Sequence, residues 1–65
     1  MKIQVNGAWR EVSSGPLARA LEALGYGASV VTTAVNGEFV PVSARERTAL
    51  AEGDRIEVLA PMQGG

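Results

Sequence analysis

The chain has 65 residues, 46% of them hydrophobic, with six basic and seven acidic side chains for a net charge of −1. That is one domain, small enough that the surface it buries leaves its stability marginal, and it contains neither cysteine nor histidine. Those absences remove disulfide staples, thiolate and imidazole metal ligands, the commonest nucleophile and the commonest neutral-pH base, and so argue against an autonomous hydrolase or metalloenzyme.

Taken in chain order, Ile3 and Val5 alternate with Lys2 and Gln4, the period-two pattern of a half-buried strand. Asn6-Gly7 is a strong hairpin signal, because a type I′ turn needs positive φ at both central positions. Ala8 to Val12 is then the return strand. A two-residue turn sets Lys2 opposite Glu11, and it also sets Arg10 beside Ile3 on the core side. Either a bulge or a place at the sheet edge would relieve Arg10. Ser13-Ser14-Gly15-Pro16 predicts a helix start, with serine or glycine as the cap and proline in the first turn. Leu17, Leu21 and Leu24 recur at i, i+4 and i+7 with Ala20 in the same stripe, while Arg19 and Glu22 face water. Gly25 stands where a left-handed C-cap belongs.

Val30 to Val35 is a β-rich run, and Asn36-Gly37 closes a second hairpin with Phe39-Val40. Pro41 ends that strand or marks it as an edge, since proline donates no ladder hydrogen bond. Ser43 and Glu46 have capping-box spacing, which predicts a short helical turn over Ser43 to Arg47. Leu50 is a core plug, Glu52-Gly53-Asp54 a turn, and Arg55 to Leu59 the last strand, with Ile56 and Val58 on one face and Arg55, Glu57 and Leu59 on the other. The order of hairpin, helix, hairpin, short turn and strand requires one helix to cover one face of a mixed sheet, an α+β architecture. Residues 1–60 form the domain and 61–65 a flexible C-terminal tail.

Charge and hydropathy narrow the partners. The signs are interspersed, and Arg45 and Arg47, separated by Glu46, read as a solvated segment; no concentrated basic face for nucleic acid results. No apolar run approaches the roughly 20 residues needed to cross a bilayer. Strand-like alternation begins at Lys2, so no secretory signal is expected, and a soluble cytoplasmic protein is. The acidic residues are scattered over turns and strand faces, and no metal site is expected from them.

The chain closes with Met62-Gln63-Gly64-Gly65. A diglycine places a free carboxylate on a stalk without side chains, able to thread a narrow cleft. Five extended residues from Pro61 to Gly65 reach roughly 16–18 Å. Leu59 has two readings, an exposed docking residue beside this stalk or a residue covered by a loop of the same chain; Met62, beyond the proline, is read as a partner contact. Phe39 is read as core or edge packing. Trp9 is read as partly shielded by Gln4 rather than as an open contact residue, and Tyr26 as a lid over the helix end.

These pieces together resemble a ubiquitin-like β-grasp protein and, more narrowly, the ThiS family of sulfur carriers in thiamin biosynthesis. The resemblance rests on Ile3-Gln4-Val5-Asn6-Gly7, the helix ending in Leu24-Gly25, Ala34 to Pro41, Leu50, Glu52 to Val58, and Gln63-Gly64-Gly65, and so covers nearly the whole chain. Two positions depart from it. Val42 stands where a basic residue often follows the proline, and Arg45 replaces a common tryptophan. The resemblance implies a mixed sheet of about five strands and a carrier with no bound cofactor and no catalytic residue of its own. A ubiquitin-activating-type adenylating enzyme, using ATP and Mg²⁺, would activate the Gly65 carboxylate. A sulfur-donating enzyme would convert it to a thiocarboxylate, and thiazole synthase would receive the sulfur. The free carrier would be a monomer. Rival readings are a carrier for molybdopterin, tRNA thiolation or cysteine synthesis, a ubiquitin-like modifier of lysines, and a plain β-grasp interaction domain.

Overall fold

The computed structural model describes residues 1–60, so Met62, Gln63, Gly64 and Gly65 lie outside the described residues. Its elements are β1 (Lys2–Val5), β2 (Ala8–Glu11), α1 (Leu17–Ala23), β3 (Thr32–Val35), β4 (Glu38–Val40), a 3₁₀ turn (Val42–Arg47) and β5 (Arg55–Leu59). The strands form one five-stranded sheet in the order β2-β1-β5-β3-β4, with β5 parallel to β1 and antiparallel to β3. This is the expected mixed sheet with one main helix, and its last strand in sequence is its central strand in space.

Both hairpins form on the Asn-Gly pairs. Asn6 and Gly7 have φ of 50° and 86°, and Asn36 and Gly37 have 50° and 85°, the left-handed values a type I′ turn demands. The first hairpin pairs Lys2 with Glu11 and Ile3 with Arg10 in an unbroken register. No bulge is inserted; β2 is an edge strand and Arg10 is exposed there, which resolves its conflict with Ile3.

The helix stripe packs as its spacing predicts: Leu17, Ala20 and Leu21 are buried and Leu24 packs against them. They meet Ile3, Val5, Val40, Ile56 and Val58 from the sheet, with Leu50 as the expected plug. The helix start differs from expectation. Pro16 is the N-cap residue, extended at ψ 160°, and no side chain caps the helix. The neighbouring segment does this work. The Leu17 N–H donates to the Thr48 carbonyl at 2.8 Å, Leu50 N–H donates to the Gly15 carbonyl at 3.2 Å, and Pro16 bridges Ala49. An extended Pro16 pairs with that passing strand and leaves the serines outside capping range. The 3₁₀ turn likewise starts at Val42 behind Pro41, with no side-chain cap from Ser43. The helix end follows the glycine signal. Gly25 has φ of 95°, and the N–H groups of Gly25 and Tyr26 donate to the Glu22 and Leu21 carbonyls at 3.1 and 2.8 Å, a Schellman closure that lays Tyr26 on the core.

A domain of this length holds about 3–10 kcal/mol of stability in total. Replacing fully buried Leu17 by alanine should remove about 2–5 kcal/mol, leaving much of the population unfolded. Exposed Arg19→Ala should stay within about 0.5 kcal/mol of the parent. Urea denaturation followed by far-UV circular dichroism checks both.

Candidate functional site

The residues leading to the C-terminal segment belong to β5. Along it Ile56 and Val58 point into the core, and Arg55, Glu57 and Leu59 point outward. Cross-strand register extends that outward face. Thr32 lies opposite Leu59, Ala34 opposite Glu57, and Phe39 opposite Ala34, so Leu59, Ala34 and Phe39 share the side of the sheet away from the helix. Leu59 is 63% exposed, and no described segment covers it, which removes the reading of it as a loop-covered residue.

Phe39 corrects one expectation. It lies on the edge strand, but its side chain is 68% exposed and is not core packing. The register explains this: it is Val40, opposite Thr33, that turns inward, and alternation sends Phe39 out. Trp9 lies opposite Gln4 on the same outer face, beside a hollow lined by Lys2, Glu52 and Gly53, and is 59% exposed. More than half of its surface stays open. The apolar surface is therefore divided, with Leu59 on the central strand and Ala34 and Phe39 on β3 and β4 to one side of it, Trp9 on the opposite edge strand, and the outward Lys2 and Gln4 of β1 between.

Arg45 corrects another. It is half-buried, its Nε donates to Thr33 Oγ1 at 3.2 Å, and its guanidinium donates to the Val31 carbonyl at 2.6 Å. Thr33, buried in the core, donates in turn to the Val40 carbonyl at 2.9 Å. Only Glu46 and Arg47 of that trio are solvated. The arginine's forked donors satisfy two oxygens at once.

The reach of two turn side chains to β5 escaped the sequence reading. Asn6 Nδ2 donates to the Val58 carbonyl at 3.0 Å and Asn6 Oδ1 accepts from the Val58 N–H at 2.8 Å. Asn36 Oδ1 accepts from the Arg55 N–H at 2.9 Å and its Nδ2 donates to Asp54 Oδ1 at 3.0 Å. The Asn-Gly motif reports a turn, and nothing in it tells where the amide will reach. The turn carboxylates are committed to backbone: Asp54 accepts from the Ala51 N–H at 2.8 Å and Glu52 from the Lys2 N–H at 3.1 Å. Among the described residues no three His, Cys, Asp or Glu side chains gather where a metal ion would sit, and no described helix is long and apolar enough to cross a membrane.

A five-stranded mixed sheet with a parallel β1–β5 centre and one helix on one face is a ubiquitin-like β-grasp domain, whose open sheet face carries apolar side chains beside the root of the C-terminal segment. The ThiS family profile matches residues 3–65, and the chain belongs to the ThiS family. It is similar to the crystal structure of a thiamine biosynthesis protein (ThiS) from Geobacter metallireducens, at 35% identity and a TM-score of 0.83 over all of both chains. The solution NMR structure of a thiamine biosynthesis protein from the same organism aligns at 33% identity and a TM-score of 0.79, covering all of this chain and 88% of that one. No curated protein matched the sequence.

Arg45→Ala should cost about 1.5–3 kcal/mol, because a charged donor is lost to the Val31 carbonyl and to Thr33 Oγ1, which keeps only its own bond to the Val40 carbonyl. Arg47→Ala should change stability by less than about 0.5 kcal/mol. Thermal denaturation of the two single variants against the parent measures the contrast.

Proposed function

We propose that this chain is a sulfur carrier for the thiazole ring of thiamin, and that Gly65 is the residue that carries the sulfur. The reading is carried by one observation: the ThiS family match spans residues 3–65 and so runs through the final diglycine. The likeness to ThiS structures across the whole chain supports it.

The chemistry follows from what a carboxylate lacks. Its negative charge repels nucleophiles, and oxide does not leave. In the proposed sequence the Gly65 carboxylate oxygen attacks the α-phosphorus of ATP in an adenylating enzyme, and pyrophosphate departs with its charge offset by Mg²⁺. Sulfur at the sulfide level, delivered by a sulfur-donating enzyme, then adds to the carbonyl carbon and expels AMP. A thiocarboxylate remains on Gly65 for thiazole synthase. No general base of the carrier is needed, in keeping with a chain that has neither histidine nor cysteine. Gly64 and Gln63 complete the stalk that must enter the partner's active site. Leu59, with Ala34 and Phe39 on the same open face, and Met62 beyond it, are the proposed docking residues.

Incubation with an adenylating enzyme, ATP, Mg²⁺ and a sulfur source should raise the intact mass by about 16 Da, sulfur replacing oxygen. Deleting Gly65, or appending one residue after it, should abolish the shift. An isopeptide adduct on a substrate lysine would instead overturn the carrier reading in favour of a modifier. Leu59→Asp should raise KM for activation about tenfold or more while leaving stability near that of the parent, the behaviour of an exposed contact residue.

A further inference from the structure

We propose that Asn6 is a positioning residue that fixes the end of β5, and through it the point from which the C-terminal segment departs. The inference rests on the carrier reading above.

The parallel pairing of β1 with β5 runs through Gln4 opposite Arg55 and Val5 opposite Ile56, and the Asn6 N–H donates to the Ile56 carbonyl at 2.9 Å. In a continuing parallel ladder the backbone carbonyl of residue 6 would accept from the Val58 N–H, and the N–H of residue 8 would donate to the Val58 carbonyl. Here β1 has already ended, because the chain turns at Asn6-Gly7. The Asn6 side chain supplies both missing bonds, Oδ1 accepting from Val58 N–H at 2.8 Å and Nδ2 donating to Val58 O at 3.0 Å. A carboxamide has the donor and acceptor of a peptide unit in the same plane, so it serves as one further rung. That rung falls two residues before Ala60, the last described residue. The other side of β5 is paired with β3 as far as Thr32 opposite Leu59, whose carbonyl also accepts from Thr32 Oγ1 at 3.3 Å. Asn6 is thus what holds the β1 side of β5 beyond Ile56.

The second hairpin provides an internal comparison. Asn36 occupies the same turn position at the same φ of 50°, and its side chain also bonds β5, but at Arg55, the strand's beginning. A purely structural role predicts equal consequences for the two asparagines. A positioning role predicts that only Asn6 matters to the carboxylate, since loss of the Val58 rung loosens the end of β5 on its β1 side while the pairing of Leu59 with Thr32 keeps the outward docking face in place.

Asn6→Gly and Asn36→Gly test this, because glycine takes positive φ without strain and keeps both turns. In the first variant amide exchange at Val58 should accelerate while that of Ile56 holds; in the second, the acceleration should appear at Arg55. For adenylate formation on Gly65 by the activating enzyme with ATP and Mg²⁺, Asn6→Gly should lower kcat about tenfold, well within the hundredfold that a 1 Å misplacement can cost. Its KM should stay within about twofold, and Asn36→Gly should change neither constant beyond that. Asn6→Asp, which keeps the acceptor but sets a second oxygen against the Val58 carbonyl, should reproduce the kcat loss and carries the comparison if the glycine variant is unfolded. Unchanged Val58 exchange, an unchanged kcat, or an equal loss in the Asn36 variant overturns the inference alone. Absence of any adenylate on the wild-type chain overturns the carrier reading, and the inference with it.

Discussion

The strand that leads to the C-terminus lies in the middle of the sheet, and the rest of the structure depends on how it is held there. A central strand must satisfy its backbone groups on both sides, because an unpaired buried N–H or carbonyl costs about as much as a lost hydrogen bond. β5 has β1 on one flank and β3 on the other, and both neighbours turn away in Asn-Gly hairpins. At the turns one backbone bond to β5 remains on each side, from the Asn6 N–H to the Ile56 carbonyl at 2.9 Å and from the Asn36 N–H to the Arg55 carbonyl at 2.7 Å. The asparagine amides supply what the turning backbones cannot, Asn36 at Arg55 and Asn6 at Val58. One residue type therefore answers two demands at each turn. It tolerates positive φ, and it carries a peptide-like group long enough to reach the next strand.

The small core makes such polar ties worth more. With few apolar side chains available and no cysteine, nothing covalent compensates for a loosened element. The chain instead links elements distant in sequence through single side chains. Arg45 joins the 3₁₀ turn to β3, Thr33 joins β3 to β4, and the backbone around Thr48 and Leu50 closes the helix start. Among the described residues no buried side-chain nitrogen or oxygen is left without a partner. An incompletely satisfied network would be worse than an apolar core of the same shape, so the Arg45–Thr33 pair is tolerable because each member is bonded.

Much of this was legible in the sequence, and what escaped has a common cause. The hairpins, their register, the helix stripe, its glycine end and the inward and outward faces of β5 all follow from local periodicity or from backbone conformations that few residues tolerate. The misread features depend on partners remote in sequence. Pro16 is an N-cap because residues 48–50 pass beside it, and Arg45 is held because the carbonyl of Val31 points at it. Phe39 looked like a packing residue because hydrophobicity says a phenylalanine prefers burial; which face it takes was decided by the inward turn of its neighbour Val40. The asparagine amides belong to the same class. Their turn chemistry is local, and their reach across to β5 spans 52 residues for Asn6. Of the proposed site, the diglycine was plain in the sequence, whereas the apolar sheet face at the end of β5 required the register.

In the carrier reading the magnitudes say why that face must be more than one residue. Holding residues 61–65 in a single conformation inside another protein costs about 1–2 kcal/mol per residue in backbone entropy, or roughly 5–10 kcal/mol in all. Apolar burial returns about 25 cal/mol per Å², so the offset needs roughly 200–400 Å² of contact before any net affinity results. A lone leucine falls short of this, and the glycines have no side chains to contribute. Leu59, Ala34 and Phe39 lie on one open face, and Leu59 and Phe39 are both largely exposed there. In that reading recognition and chemistry would be separated in space: binding energy gathered on the sheet face would order a segment that ends in two glycines, the use of remote binding energy that raises a rate rather than merely tightening a complex. Such a transfer works only if the face and the segment's root move as one body. The root is the end of β5, and the amide of Asn6 ties that end to the first strand of the same sheet.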